Sequence, residues 1–186
     1  MVDQKADPLL DAESSLNQAI REPIAIVPYD SAWPSQFELE RNRLRTLFPR
    51  LLLLEHIGST AVPGMPAKPI IDCMAAVASM EVADQLVAQL CLNGYTTSDE
   101  FNRSLGDRRW LMRHAAGRRT HHLHLVLDQS VYLADSIRFR DKLRGHSEVA
   151  RRYAQLKYEL ASEFGMDREA YTTAKTAFIV AALREA

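Results

Sequence analysis

The sequence predicts an α+β domain, a mixed β-sheet flanked by helices and completed by a helical C-terminal part. Two observations carry this reading. Apolar runs of strand length cluster in the first two thirds of the chain, whereas beyond about residue 130 apolar residues recur at three- and four-residue spacing. A third sets the scale: 186 residues, 47% hydrophobic and 25% charged, suit one domain with a substantial core.

The elements follow in order. Residues 1–22 mix acids, Ser, Asn and Gln around a weak helical pattern and read as an N-terminal arm, peripheral or partly disordered, ahead of a domain over 23–186. Ile24, Ile26 and Val27 predict a short strand, broken by Pro28 and the turn formers Asp30-Ser31. "WPSQFELERNRLRTLF" reads as a helix with Pro34 in its first turn and Trp33, Phe37, Leu44, Leu47 and Phe48 on one stripe. "LLLLEHIG" and "KPIIDCMAAVA" read as strands. Ser79 caps a helix carrying Val82, Leu86 and Leu90, which Asn93-Gly94 ends. "RRWLMRH" and "RRTHHLHLVL" are strands separated by a turn at Ala116-Gly117. Ser147 is expected to cap a helix with Val149, Tyr153, Leu156 and Leu160 on one face. A last helix from about Asp167 carries Tyr171, Ala174, Phe178 and Leu183.

Charge and cysteines narrow the function classes. With 23 basic against 24 acidic residues, no global field draws the chain to nucleic acid or to an anionic membrane, so any bound anion must be held by local groups. No apolar run approaches the roughly 18–20 residues of a membrane helix. The start "MVDQKADPLL" does not resemble a secretory signal. Cys73 and Cys91 lie in apolar segments without a CxxC, which suits buried thiols in the cytoplasm.

Chemistry concentrates in "EHIGSTAVPGMPAKPIIDCM". Gly58 lets a backbone approach a ligand that a side chain would block, and Ser59 adds a hydroxyl, so the pair reads either as a phosphate cradle or as a plain turn. On the next strand Ile70, Asp72, Met74 and Ala76 share one face, and Ile71, Cys73, Ala75 and Val77 share the other. A carboxylate among apolar neighbours needs a partner, either loop N–H groups or a metal. His122 and His124 share a strand face and can converge on one metal or phosphate, or form a solvated edge pair. His56 shares a face with Leu52 and Leu54. Lys68 is placed to reach back to a phosphate. Arg140 belongs to the run "RFRDKLRGH", whose bland reading is a solvated helix face. Lys175 lies on an apolar stripe with Tyr171 and Phe178, where snorkelling is the alternative.

With these residues in hand, the sequence resembles the GrpB family, placed in the nucleotidyltransferase superfamily. The resemblance rests on "VPYDSAW", "EHIGSTAVPGMPAKPIID", "HHLHLV", "RFRDKLRGH", "YAQLKYELA" and "YTTAKTAFI", in family order, from about Ile24 to the C-terminus. It implies a nucleotidyltransferase-like fold in which Gly58 and Ser59 grip a phosphate and Asp72 holds a divalent metal, Mg²⁺ or Mn²⁺, that aligns a hydroxyl with phosphorus. Twelve residues separate Ser59 from Asp72, which suits the superfamily. The second acid of the superfamily pattern is replaced by Met74, a poor ligand for a hard cation. A site of Asp72 with His122 and His124, with a softer metal such as Mn²⁺ or Zn²⁺, takes its place in this expectation.

The expected partner is therefore a nucleotide or another phosphorylated small molecule, held by Gly58, Ser59, Lys68, His56, Arg140 and Lys175. Asp72, His122 and His124 are the candidate metal-binding and catalytic groups, for metal-dependent nucleotidyl transfer. Two alternatives stand beside it: a binding module without transfer chemistry, and a His/Asp metal-dependent phosphoester hydrolase. The resemblance adds that the domain occurs fused to dephospho-CoA kinase, which suits an accessory role. The pattern is also compatible with a homo-oligomer.

Overall fold

The computed structural model describes residues 8–49 and 51–185. The sheet forms where the apolar runs were expected, over β1 (Leu53–Ile57), β2 (Ile71–Val77), β3 (Arg108–Ala115) and β4 (Arg118–Leu127). Its order is β1-β2-β4-β3, with β1/β2 and β3/β4 antiparallel and β2/β4 parallel, so it is a mixed sheet.

Alternation along β2 dictates the two layers. Ile71, Cys73, Ala75 and Val77 join Leu111, Leu123 and Leu125 beneath α2 (Trp33–Leu47) and α3 (Met80–Leu92), which bring Trp33, Phe37, Leu44, Leu86 and Leu90. Met74 and Ala76, on the other face, pack with Ile57, Val126 and Leu133 of α5 (Val131–Gly145). Further along the chain, α6 (Ser147–Phe164), α7 (Arg168–Ala174) and α8 (Thr176–Arg184) complete the helical C-terminal part. There Leu143, Val149, Tyr153 and Ala182 bury Val62 and Met65. This clamp holds the segment after β1 against α6, and so places the Gly58-Ser59 turn beside a helix that begins almost ninety residues later.

Several local expectations are corrected. Residues 24–27 make no strand; Val27 forms a single antiparallel bridge with Ala67, because Pro28 removes the next donor. His146 is the N-cap of α6, leaving Ser147 inside the helix. The final helix divides at Lys175 into α7 and α8, and a short helix absent from the reading, α4 (Asp99–Ser104), is capped by Ser98. Cys73 is buried as expected, but Cys91 is exposed. Within the N-terminal stretch, α1 (Pro8–Arg21) lies beside the β3–β4 hairpin, where Ala19 is buried and its carbonyl accepts from Arg119 Nε at 3.0 Å. Residues 1–7 of the expected arm lie outside the described residues.

Candidate functional site

The parallel register of β2 and β4 sets Asp72 directly opposite His122 and Met74 opposite His124. β3 adds Met112 opposite His122 and Trp110 opposite His124. All lie on the face away from α2 and α3, where Asp72, Trp110, Met112, His122 and His124 line a pocket of about 770 Å³ while Met74 is buried in the small core beneath α5. His122 Nδ1 lies 3.0 Å from Asp72 Oδ1. Burial alone would raise the Asp72 carboxyl, but the His122 hydrogen bond, aided by His124 and Lys68, holds it at about 2. Burial also keeps the His122 imidazole below its usual value despite Asp72, so the pair is a carboxylate accepting from a neutral ring. Orienting one imidazole nitrogen in this way leaves His122 Nε2 buried and without a hydrogen-bond partner, as is His124 Nδ1.

Above the dyad runs the Gly58-Ser59 turn. Gly58 has φ +70, and a Cβ there would run into the Asp72 carboxylate, so glycine is required for both conformation and approach. Ser59 opens a 3-10 turn (Ser59–Ala61), and its Oγ is 3.0 Å from Lys157 Nζ, which also donates to the Pro66 carbonyl. Lys68 and Lys175 approach the ring of buried Tyr171, their Nζ atoms 5.2 and 4.2 Å from its centroid. Desolvation is the first cause lowering all three amines, Lys68 to about 8 and Lys157 and Lys175 to about 7. Arg108, Arg119 and Arg168 add cations to the lining, against the carboxylates of Asp72 and Glu169. Trp110, Phe101 and Tyr132 form an aromatic wall. The pocket is basic and part aromatic although the chain as a whole is nearly neutral.

Of the residues expected to form a site, Gly58, Ser59, Lys68, Asp72, His122, His124 and Lys175 all line this pocket. His56 does not. Its antiparallel register with Cys73 turns it to the opposite face, where it stacks on Phe37 at 4.7 Å and its Nε2 lies 3.0 Å from Thr60 Oγ1. Arg140 does not either. It is buried as a tie between α5 and β1, bonding Glu55 Oε2 at 2.5 Å and the His56 carbonyl at 3.0 Å.

The three residues expected as a metal set are placed as follows. Among the described residues no group of three His, Cys, Asp or Glu side chains is arranged to hold a metal ion. Facing positions in the register give His122 to Asp72 as a hydrogen-bond partner, while His124 stands two pairs further along, 6.1 Å from the Tyr132 ring. Lys157 is the main residue the sequence reading missed. It shares the apolar stripe of α6 with Tyr153 and Leu160, the same signal that drew attention to Lys175.

A family model described as GrpB protein matches residues 23–185. UPF0157 protein YqkA of Bacillus subtilis is 37% identical over 141 residues, which are 75% of this chain and 40% of that protein. UPF0157 protein PA4798 of Pseudomonas aeruginosa is 39% identical over 159 residues, 82% of this chain and 63% of that protein. The chain thus matches less than two thirds of the length of either relative. The crystal structure of conserved protein GrpB from Enterococcus faecalis superposes with a TM-score of 0.76 at 34% identity, covering 86% of this chain and 95% of that one. Among the described residues no helix is long and apolar enough to cross a membrane.

Proposed function

The chain belongs to the GrpB family, and from that premise and the chemistry of its pocket we propose that it binds a nucleotide or another phosphorylated small molecule. The observation that carries this reading is the convergence of Lys68, Lys157 and Lys175 on the one pocket that the Gly58-Ser59 turn lines, with Lys157 bonded to Ser59 itself. Burying ammonium groups is unfavourable unless an anion compensates, and the lining offers only Asp72 and Glu169. A phosphate supplies up to two negative charges and three strong acceptors, matched to amines from three separate segments. Trp110 and Tyr132 then provide flat apolar surface for a base or similar group.

Within this reading Lys68 and Lys175 contact the phosphate oxygens, Gly58 permits close approach, and Asp72 fixes the His122 ring at the pocket base. No step is routed through a metal.

The test is thermal shift with the four nucleoside triphosphates, CoA and dephospho-CoA, each with Mg²⁺, Mn²⁺ or chelator. A ligand at a hundredfold excess over its dissociation constant stabilises the native state by about 2.7 kcal/mol. A shift that survives chelation, is lost in Lys68→Gln and brings no pyrophosphate release supports binding alone. A shift that needs Mn²⁺ or Mg²⁺, with pyrophosphate release abolished by Asp72→Asn, would instead favour nucleotidyl transfer. The absence of any shift would reject a phosphorylated ligand.

A further inference from the structure

Lys157 is almost fully buried, 2% exposed, yet its Nζ meets only neutral acceptors, Ser59 Oγ and the Pro66 carbonyl. The groups facing it are Tyr153 one turn earlier on α6, with its ring centroid 5.0 Å from Nζ, and Lys175 from the α7–α8 junction. Neither supplies negative charge in the neutral range. A lysine that only braced a loop would be expected to keep a counter-ion; here burial and the Lys175 charge favour the free amine. Its bonding partner, Ser59, follows directly on Gly58 in a turn open to the pocket, and the Tyr153 hydroxyl bonds the same serine. A hydroxyl at 3.0 Å from an amine held without a counter-ion is the geometry of a nucleophile and its base.

We propose that Ser59 and Lys157 form a nucleophile–base pair that accepts the phosphoryl group of a phosphate ester or anhydride bound in this pocket, a step that rests on the phosphorylated-ligand reading. As Ser59 Oγ attacks phosphorus, its proton passes to Lys157 Nζ and an Oγ–P bond forms. The bond from phosphorus to the leaving oxygen breaks, and the Lys157 ammonium returns the proton to that oxygen. Water, losing a proton to the regenerated amine, then cleaves the Oγ–P bond. Ser59 takes back the proton and inorganic phosphate departs. Lys68 and Lys175 neutralise the non-bridging oxygens throughout. Ester and water give alcohol and phosphate, with no other reactant.

The test exposes the full-length chain to a biotinylated fluorophosphonate, a neutral electrophile that loses fluoride to activated serines, and maps the adduct by peptide mass spectrometry. Labelling is expected on Ser59, absent in Ser59→Ala, and slowed about 100-fold in Lys157→Met. Lys157→Arg should not restore it, since a guanidinium stays protonated. In the unaltered protein the labelling rate should rise as pH passes through about 7, where Lys157 loses its proton. No adduct on Ser59, or equal rates in a folded Lys157→Met protein, overturns the proposal. Should that variant fail to fold, a flat pH profile in the unaltered protein overturns it as well. The ligand-induced thermal shift and the labelling, read on the unaltered protein, separate the two readings. A thermal shift without labelling rejects the Ser59–Lys157 pair alone, and labelling without any ligand shift rejects the phosphorylated ligand alone.

Discussion

At Gly58 one backbone conformation serves two needs. Its φ of +70 is a region that side chains avoid, and the space above its Cα is filled by the Asp72 carboxylate. Gly58→Ala is therefore expected to cost about 1–3 kcal/mol of stability from backbone strain alone. It should also displace Asp72 from His122, so that ligand binding falls more than stability does; chemical denaturation and calorimetry on the same variant check both. The lysines give a second prediction at this scale. Each hydrogen bond from a charged group contributes about 1.5–3 kcal/mol. Lys175→Gln is thus expected to weaken binding of the phosphorylated ligand by about 10- to 100-fold, with the melting temperature of the free protein unchanged or raised, since the substitution removes a poorly compensated charge. A drop in stability with affinity intact would make Lys175 a structural residue.

Elements decide which residues can meet. Antiparallel β1 presents Leu54 and His56 to the α2 face and Glu55 to the α5 face, and Arg140 reaches across to Glu55. Because strand side chains alternate with a period of two, His56 is excluded from the pocket by register, however close in sequence it lies to Gly58. Arg140→Leu should leave ligand affinity unchanged while destabilising the fold by about 2 kcal/mol, as Glu55 and the His56 carbonyl lose their partner; equal losses of affinity and stability would restore Arg140 to the site. On α2 the stripe Phe37, Glu40 and Leu44 carries a buried acid into the core, where Tyr95 Oη donates to Glu40 Oε1 at 2.7 Å and Arg113 bonds Oε2. This network lies on the sheet face opposite the pocket, and it accounts for a charge that the helical pattern alone leaves unexplained.

At the scale of the whole molecule, the buried lysines couple proton binding to stability and, under the proposed reading, to ligand binding. Lys68, Lys157 and Lys175 titrate in the folded chain at about 8, 7 and 7, against 10.5 without the fold. Between about pH 7 and 10 the unfolded chain therefore holds more protons than the native one, and stability should rise with pH across that window. Under the proposed reading a bound phosphate favours the ammonium forms of Lys68 and Lys175, so binding should take up protons and weaken as pH climbs through 7 to 8. Calorimetry in two buffers of different ionisation enthalpy would measure the uptake; no dependence on buffer would show that the lysines do not meet the ligand.

Read alone, the string of residues yields the α+β class, the alternation of side chains along β1, β2 and β4, and the family resemblance. Alternation along "PIIDCMAAV" and "HHLHLV" is a local property of extended chain, so the face that Asp72 shares with Met74, and the face that His122 shares with His124, were each legible in a string of residues. The register that bonds Asp72 to His122 was not, because it arises from pairing between segments fifty residues apart. Only the tertiary structure brought Lys157 to Ser59, through the small core of Val62, Met65, Leu143, Val149 and Tyr153 that presses the turn onto α6. It also turned His56 away and spent Arg140 on Glu55. Periodicity shows which way a side chain faces along its own element; what it faces is decided by packing between distant elements, and that is where the chemistry of this pocket was assembled.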